Sequence, residues 1–151
     1  GYTDVVKAFV DARPGVQRTL GPHGITLLAH AKIGGDKAYK TFEYLKSLGD
    51  ADNAPTITPI ADAEKQKFVG VYTFGAGKDD QIQITIADRG FLLFQKTGDA
   101  SRIRIHSVGN GEFFPAGVPT TRFAFDTAKS PAVLTISAGA QSVVATRTVA
   151  P

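Results

Sequence analysis

Three histidines are the side chains best suited to proton transfer or metal binding: His23, His30 and His106. A structural zinc site takes about four ligands, and helical sites present two histidines one turn apart, as in His-Glu-x-x-His. His23 and His30 are seven residues apart, and Pro22 and Gly24 oppose a helix that would bring them onto one face. The spacing predicts that no metal site forms and that the histidines are solvated or locally hydrogen-bonded.

Two further segments have the residue types of ion-binding loops. Asp50 and Asp52 are spaced like the first ligands of a calcium loop, but the glycine precedes the pair and Ala61 stands where the bidentate glutamate belongs. Residues 75–78 are glycine-rich and end in a lysine, yet Asp79 follows that lysine where a phosphate-binding loop requires serine or threonine. We therefore expect a helix-ending turn at the first segment and a hairpin loop at the second.

The motifs of covalent catalysis are missing from the sequence. There is no cysteine, which removes disulfides, thiolate nucleophiles and cysteine-based zinc sites. There is also no Ser-x-x-Lys and no Gly-x-Ser-x-Gly, so no serine stands in the context of a known nucleophile. We predict that the isolated chain is not an enzyme and has no catalytic residues and no cofactor.

The composition indicates an ordinary globular protein. Its 151 residues are 42% hydrophobic and 21% charged, which allows a buried core and excludes a disordered or collagen-like chain. The 17 lysines and arginines exceed the 14 acidic residues by three, and they are spread along the chain, so no nucleic-acid partner is predicted. No apolar run approaches the about 18 residues of a membrane span.

The hydrophobic period changes near residue 53. Before it, apolar residues recur three and four apart, which is typical of amphipathic helices. Three helices are predicted: one capped by Asp4 and ended by Pro14, one from Thr26 to about Ile33, and one from about Lys37 or Ala38 to Leu48. Residues 54–67 contain prolines and no helical period, which predicts a linker with one helical turn over 62–67.

From Phe68 onward, apolar and polar residues alternate and turn signals recur at regular intervals. Eight short strands are predicted near 69–74, 81–87, 91–96, 101–108, 112–115, 120–126, 132–138 and 141–149. Short loops favour an antiparallel meander, and eight strands are enough to close into a barrel. The predicted class is α+β, with a helical segment at 1–53, a linker at 54–67 and a barrel domain at 68–151.

Two sets of side chains in the barrel domain are candidates for binding. An eight-stranded barrel is either filled by its side chains or just wide enough for one small apolar ligand. For the second alternative, Tyr72, Phe94 and Phe125 are predicted to line the pocket. Arg102 and Arg104 alternate with isoleucines, so we expect both arginines to face water, with a basic stripe for phosphates or an acidic partner as the alternative.

The helical segment resembles an ankyrin repeat. Residues 24–35, with Thr26 and Leu27 at the turn and Gly34 at the end, resemble the opening turn and inner helix, and 42–53 resemble an outer helix with its finishing turn. The sequence departs from the repeat at Leu27, where proline is usual, and at Ala29, where histidine is usual. The resemblance implies protein interaction, and an unrelated helical hairpin is the alternative.

The barrel domain has a resemblance of its own. Its motifs are residues 68–72, 82–86, 88–92, 113–114, 123–126 and 145–147. They resemble the small lipocalin-like β domain appended to bacterial serine hydrolases of the β-lactamase-like class. That resemblance implies a lipocalin-like barrel with no catalytic residues of its own. The motifs of the hydrolase itself are missing from this chain.

The combined expectation is a non-enzymatic binding or protein-interaction module, whose partner is another protein or a small apolar ligand. Two alternatives stay open: a carrier of a small apolar ligand in the barrel interior, and an accessory segment of a serine hydrolase. The start at Gly1 and the lack of methionine suggest a processed product. Together with the lack of cysteine this favours a periplasmic or extracellular location, with the cytoplasm as the alternative.

Overall fold

The structure is a computed structural model that describes residues 2–118 and 120–149. It consists of two compact units. The helical unit runs to Thr56 and also includes a short segment that begins at Ala116, and the barrel unit comprises Ile57–Pro115 and the chain from Thr120. The predicted start at Gly1 and the last two residues of the predicted barrel domain lie outside the described residues.

The helical unit contains three short α-helices and two 3₁₀ turns. They are α1 (Thr3–Ala12), a turn at Val16–Arg18, α2 (Leu27–Ile33), a turn at Gly35–Ala38 and α3 (Tyr39–Ser47). Thr26 caps α2 by accepting a hydrogen bond from the Ala29 amide at 3.1 Å. The prediction that Asp4 caps α1 is wrong, because Asp4 lies inside the first turn and the helix begins without a side-chain cap.

The helices enclose a small core of their own. Its buried members come from all three helices and the turn after α3: Val10, Leu28, Ala31, Leu45 and Ala51. The Asp50 carboxylate, predicted to lie in a helix-ending turn, accepts two hydrogen bonds from the buried Gln17 amide at 3.0 and 3.1 Å. Gln17 in turn accepts from the Gly15 amide, so this pair holds the loop after α1 against the end of α3.

The barrel unit begins with one helical turn, α4 (Asp62–Lys65), and continues as eight strands. The strands are β1 (Gly70–Thr73), β2 (Gln81–Ile86), β3 (Leu92–Lys96), β4 (Ile103–Gly109), β5 (Glu112–Pro115), β6 (Thr121–Asp126), β7 (Val133–Ala138) and β8 (Gln141–Val149). Each strand pairs antiparallel with the next, and β8 pairs with β1, which closes the barrel. The predicted α+β class, strand number and meander order are confirmed.

Alternation explains why these segments form strands of a closed barrel. In β2, Ile82 and Ile84 are buried while Gln83 between them is exposed, and β6 repeats the pattern with Phe123 and Phe125. The inward side chains of the barrel build its core. None of the helices in the described part of the chain is long and apolar enough to cross a membrane.

Two seams of the barrel are short, with two residue pairs each: β3–β4 and β5–β6. Strands β3 and β4 pair only at Leu93 with Arg104 and at Phe94 with Ile103. Beyond these pairs the linker takes up a hydrogen bond of β4, because the Thr58 amide donates to the Ser107 carbonyl at 2.8 Å. This opening between the two strands positions the site described next.

Candidate functional site

The three residues predicted to line an interior pocket all contribute to the aromatic core of the barrel. Tyr72 is fully buried, and its hydroxyl donates to the Phe68 carbonyl at 2.9 Å. The Tyr72 and Phe125 rings lie 5.6 Å apart, whereas Phe94 contacts Phe123 at 5.0 Å. The structure thus brings two of the three together and places Phe94 against another ring. Ligand binding by these residues stays a prediction.

The surrounding aromatic rings pack closely. Phe68, Phe113 and Phe125 form a triangle with centroid distances of 5.0, 5.2 and 5.3 Å. Such tilted and edge-to-face contacts are the favoured geometry for aromatic pairs. This packing corresponds to the filled interior that the sequence left as one of two alternatives, and a cleft of the barrel unit lies beside the aromatic core.

The histidines fall into two environments. His23 and His30 are exposed, and their ring centroids lie 6.1 Å apart because a turn at Gly24, with φ +76°, brings the loop back to α2. Sequence reasoning missed this pair because it considered only a continuous helix. His106 is buried at 2% exposure and packs on the Phe114 ring at 5.3 Å. Across residues 2–118 and 120–149, no three histidines or carboxylates are grouped to hold a metal ion.

A cleft of about 290 Å³ lies beside the β3–β4 seam. Four segments of the barrel unit line it: the linker residues Ile57, Thr58, Pro59 and Ile60, Lys65 of α4, the turn and strand residues Arg89, Gly90, Phe91 and Leu92, and Arg104, Ile105, His106 and Ser107 of β4, together with Phe113. The floor of the cleft is core, since Leu92, Ile105 and Phe113 belong to the buried cluster of the barrel. We call this site the seam cleft.

The seam cleft exists because the β2–β3 turn and β4 diverge. The turn is closed by hydrogen bonds between Ala87 and Phe91 and between Gly90 and Ala87, both at 2.8 Å, and Gly90 has φ +74°. This position requires a left-handed backbone conformation, which glycine adopts without strain. On the opposite wall, β4 departs from strict alternation, because Ile105, His106 and Ser107 are buried in succession.

The charged side chains that line the seam cleft are all basic. Lys65 Nζ donates to Asp62 Oδ1 at 2.7 Å and to the Gly90 carbonyl at 2.8 Å, and it lowers the pKa of the Asp62 carboxyl. The Arg104 guanidinium lies 3.5 Å above the centre of the Phe91 ring, and burial lowers the pKa of that guanidinium. Arg89 is exposed at the rim.

The expectation that Arg102 and Arg104 both face water is only half right. Arg102 is exposed, but Arg104 is half-buried because it stacks on Phe91. The sequence pattern placed Arg104 in a surface stripe and Arg89 in a turn and in the motif of residues 88–92. No signal in the sequence pointed to the seam cleft, because His106 keeps a polar position of the alternation and its burial appears only in the structure.

The helical unit has a groove of about 410 Å³. Its walls are mainly apolar and come from α1, the following loop and α2: Val5, Val6, Phe9, Val16, Ile25 and Leu27, with Arg13 and His30 among the polar members. Val5 and Phe9 are 57% and 54% exposed, which is high for large apolar side chains on a helix. This groove is a second candidate site.

No protein-family model, curated protein or solved structure matches this chain. The choice between the two candidate sites therefore depends on their geometry and chemistry.

Proposed function

We propose that this chain is a non-enzymatic binding module that holds a small ligand in the seam cleft. The observation that carries the proposal is the opening of the β3–β4 seam, which leaves a cleft between the apolar barrel core and basic groups. Ligand sites are typically concave, mostly apolar and furnished with a few polar groups that orient the ligand. The seam cleft has these three properties.

Packing and hydrogen bonds at the linker, α4 and the Gly90 turn support this function. Ile60 packs against the barrel core from the linker, and Thr58 is hydrogen-bonded to Ser107 of β4. Lys65 ties α4 to the Gly90 turn. Groups held by regular structure and hydrogen bonds keep their positions without a ligand, which lowers the entropy lost on binding.

A fragment screen followed by protein NMR tests the proposal. Thr58 is exposed at the rim, so Thr58→Trp should fill the seam cleft with little effect on folding. We expect fragments to shift the amide signals of Phe91 and Ser107 in the unaltered protein and not in this variant. Thr127→Trp is the matched control, because Thr127 is exposed in the β6–β7 connection.

Two results would contradict this function. One is a screen in which no fragment shifts the amides of the seam cleft. The other is binding that Thr58→Trp leaves unchanged, since the ligand would then occupy another part of the protein.

The non-enzymatic part of the proposal has its own test. It is supported by the missing nucleophile motifs and by lining residues that include no carboxylate. A screen of ester, amide and phosphate substrates should detect no turnover. Turnover that disappears when Ser107 or His106 is replaced would overturn it.

Protein interaction is the second candidate function, and the exposed apolar residues of the helical groove favour it. The occupant we propose is an amphipathic helix of another protein whose apolar side covers Val5 and Phe9 and whose acidic residue meets Arg13. The double substitution Val5→Ser and Phe9→Ser should abolish the binding of such a peptide measured by calorimetry. Unchanged affinity would exclude this groove.

The resemblances supply the remaining parts of the proposal. An ankyrin-like origin of the helical unit agrees with protein interaction, and a lipocalin-like barrel agrees with ligand binding. A role as the accessory segment of a serine hydrolase would be supported by a change in the hydrolase rate when this chain is added. The predicted periplasmic or extracellular location can be checked by fractionating cells that express the protein.

A further inference from the structure

We infer that the ligand of the seam cleft is a small organic anion, whose carboxylate is bound by Arg89 and Lys65 and whose apolar part lies against Ile57 and Ile60. This inference rests on the proposed function of the seam cleft. It adds the chemical class of the ligand, which follows from the charge, the free donor capacity and the size of the site.

The charge of the lining is of one sign. Lys65, Arg89 and Arg104 line the seam cleft, and none of its lining residues is an aspartate or glutamate. A concave surface with charges of one sign and apolar walls focuses the electric field and raises the local concentration of the opposite ion. Anions are therefore the ligands that this site attracts.

Lys65 is positioned for an anion and has capacity left to bind it. An ammonium group has three N–H donors. Two acceptors are provided by the protein, at Asp62 and at the Gly90 carbonyl, and together they fix the side chain, which is only 19% exposed. The third donor is available to a ligand. The Asp62 carboxylate itself is 91% exposed, so water screens much of its charge.

The two arginines extend the basic lining. Arg89 is exposed, and across residues 2–118 and 120–149 it has no ion-pair partner. The Arg104 guanidinium lies 3.5 Å from the centre of the Phe91 ring, and this contact restricts its position at the cleft. The guanidinium is partly removed from water, and its pKa is lowered by that burial. An anion nearby would stabilise the charged form of this group.

The size and the walls exclude a bare inorganic ion as the best ligand. At about 290 Å³ the seam cleft is at the lower end of the range typical of ligand pockets, roughly 300–1,000 Å³. Ile57, Ile60, Leu92 and Ile105 supply apolar walls that phosphate or sulfate would leave unused. A carboxylate attached to one ring or to a short chain satisfies both the basic and the apolar surfaces.

A pair of probes of nearly equal shape tests the inference. The probes are 4-phenylbutyrate and its uncharged counterpart 4-phenyl-1-butanol, titrated into the full chain while the amide signals of Thr58, Phe91 and Ser107 are followed. We expect the carboxylate to bind about tenfold more tightly than the alcohol, because a charge-assisted hydrogen bond is about twice as strong as a neutral one. Raising the salt concentration should weaken the binding of the carboxylate and leave the binding of the alcohol unchanged.

Arg89→Gln removes one cation from an exposed position. It should weaken the binding of 4-phenylbutyrate several-fold without changing the binding of the alcohol. Arg102→Gln is the matched control, since Arg102 is also an exposed arginine but does not line the seam cleft. The control should bind both probes like the unaltered protein.

The possible failures are distinguishable. Equal affinities for the two probes, or an Arg89→Gln variant with unchanged selectivity, would overturn the anion inference and leave the proposed binding function standing. The same conclusion follows if only uncharged fragments bind in the seam cleft. If neither probe nor any fragment shifts the amides of the seam cleft, the proposed function itself is wrong.

Discussion

Tyr72 shows how one residue serves both packing and hydrogen bonding. Its ring is enclosed by the aromatic core, and its hydroxyl satisfies the carbonyl of Phe68, which is itself buried. Burial raises the pKa of the Tyr72 phenol above its usual value near 10. A raised pKa means that the folded state holds the proton more tightly than the unfolded state. Tyr72 therefore stabilises the fold below about pH 10, and this contribution is lost as the pH rises further.

Replacing Tyr72 by Phe keeps the ring and removes the hydroxyl. We expect the free energy of unfolding at pH 7 to fall by about 1–2 kcal/mol, because the Phe68 carbonyl loses its partner. The decline of stability above pH 10 should also become shallower in this variant. Urea unfolding at pH 7 and pH 10.5 measures both effects. Tyr39→Phe is the control, because Tyr39 is 61% exposed, and it should change stability by less than about 0.5 kcal/mol.

Gly111 is constrained by space as well as by its backbone. It has φ +75°, and a Cβ atom there would lie 2.7 Å from the Phe125 carbonyl oxygen. The Phe125 amide also donates a hydrogen bond to the Gly111 carbonyl. Gly139 has φ +60°, but a Cβ atom there would meet no atom within 4 Å. The two glycines separate the cost of a left-handed backbone from the cost of a clash.

Gly139→Ala should therefore cost about 1–2 kcal/mol, the usual penalty for a residue with a side chain in this conformation. Gly111→Ala should cost clearly more, because backbone atoms of β6 must move as well. The midpoints of thermal unfolding of the two variants measure the difference. Equal midpoints would show that the turn adjusts freely and that the contact with Phe125 is not restrictive.

At the scale of elements, the strands could be predicted because alternation is a local property of the sequence. Ile82 and Ile84 in β2 indicate the inward face without reference to any other strand. The seam cleft could not be predicted in this way, since it depends on where the pairing of β3 with β4 ends. Arg104 and Phe91 are thirteen residues apart and meet only in that register. The cap of α1 was missed because Asp4 suits the first turn of a helix as well as its cap.

Helix α3 depends on Leu45 for its attachment to the other helices. Leu45 has no exposed surface and packs in one cluster with Val10 of α1 and Leu28 of α2. Leu45→Ala should lower the free energy of unfolding of the helical unit by about 2–5 kcal/mol, since the cavity adds to the lost burial. Val5→Ala, at a position 57% exposed, is the control. Circular dichroism during urea unfolding measures both, and a loss below about 1 kcal/mol for Leu45→Ala would mean that the cluster relaxes into the space.

At the scale of the molecule, the barrel is unevenly paired. The β6–β7 and β7–β8 seams each have six residue pairs, whereas the β3–β4 and β5–β6 seams have two each. Local opening requires less free energy where fewer hydrogen bonds and contacts are broken. The barrel therefore combines a firmly paired side, at β7, with a weaker side that contains the candidate ligand site.

Hydrogen exchange should reveal this asymmetry. Amides of β3 and β4 that face each other across the seam should exchange well before those of β7, whose two seams are long. Exchange followed residue by residue by NMR is the measurement, and a ligand in the seam cleft should slow it at β3 and β4 selectively. Uniform exchange around the barrel would show that the β3–β4 seam opens no more readily than the longer seams of β7.

The pairing of β8 with β1 has a consequence for behaviour at high concentration. An open sheet ends in strands whose outer N–H and C=O groups can recruit a strand from another molecule, which is a common start of aggregation and fibril growth. In this barrel each strand already has a neighbour on both sides. Growth by addition of strands would first require a seam to separate, so solubility of the barrel unit depends on the same interactions that keep its ring closed.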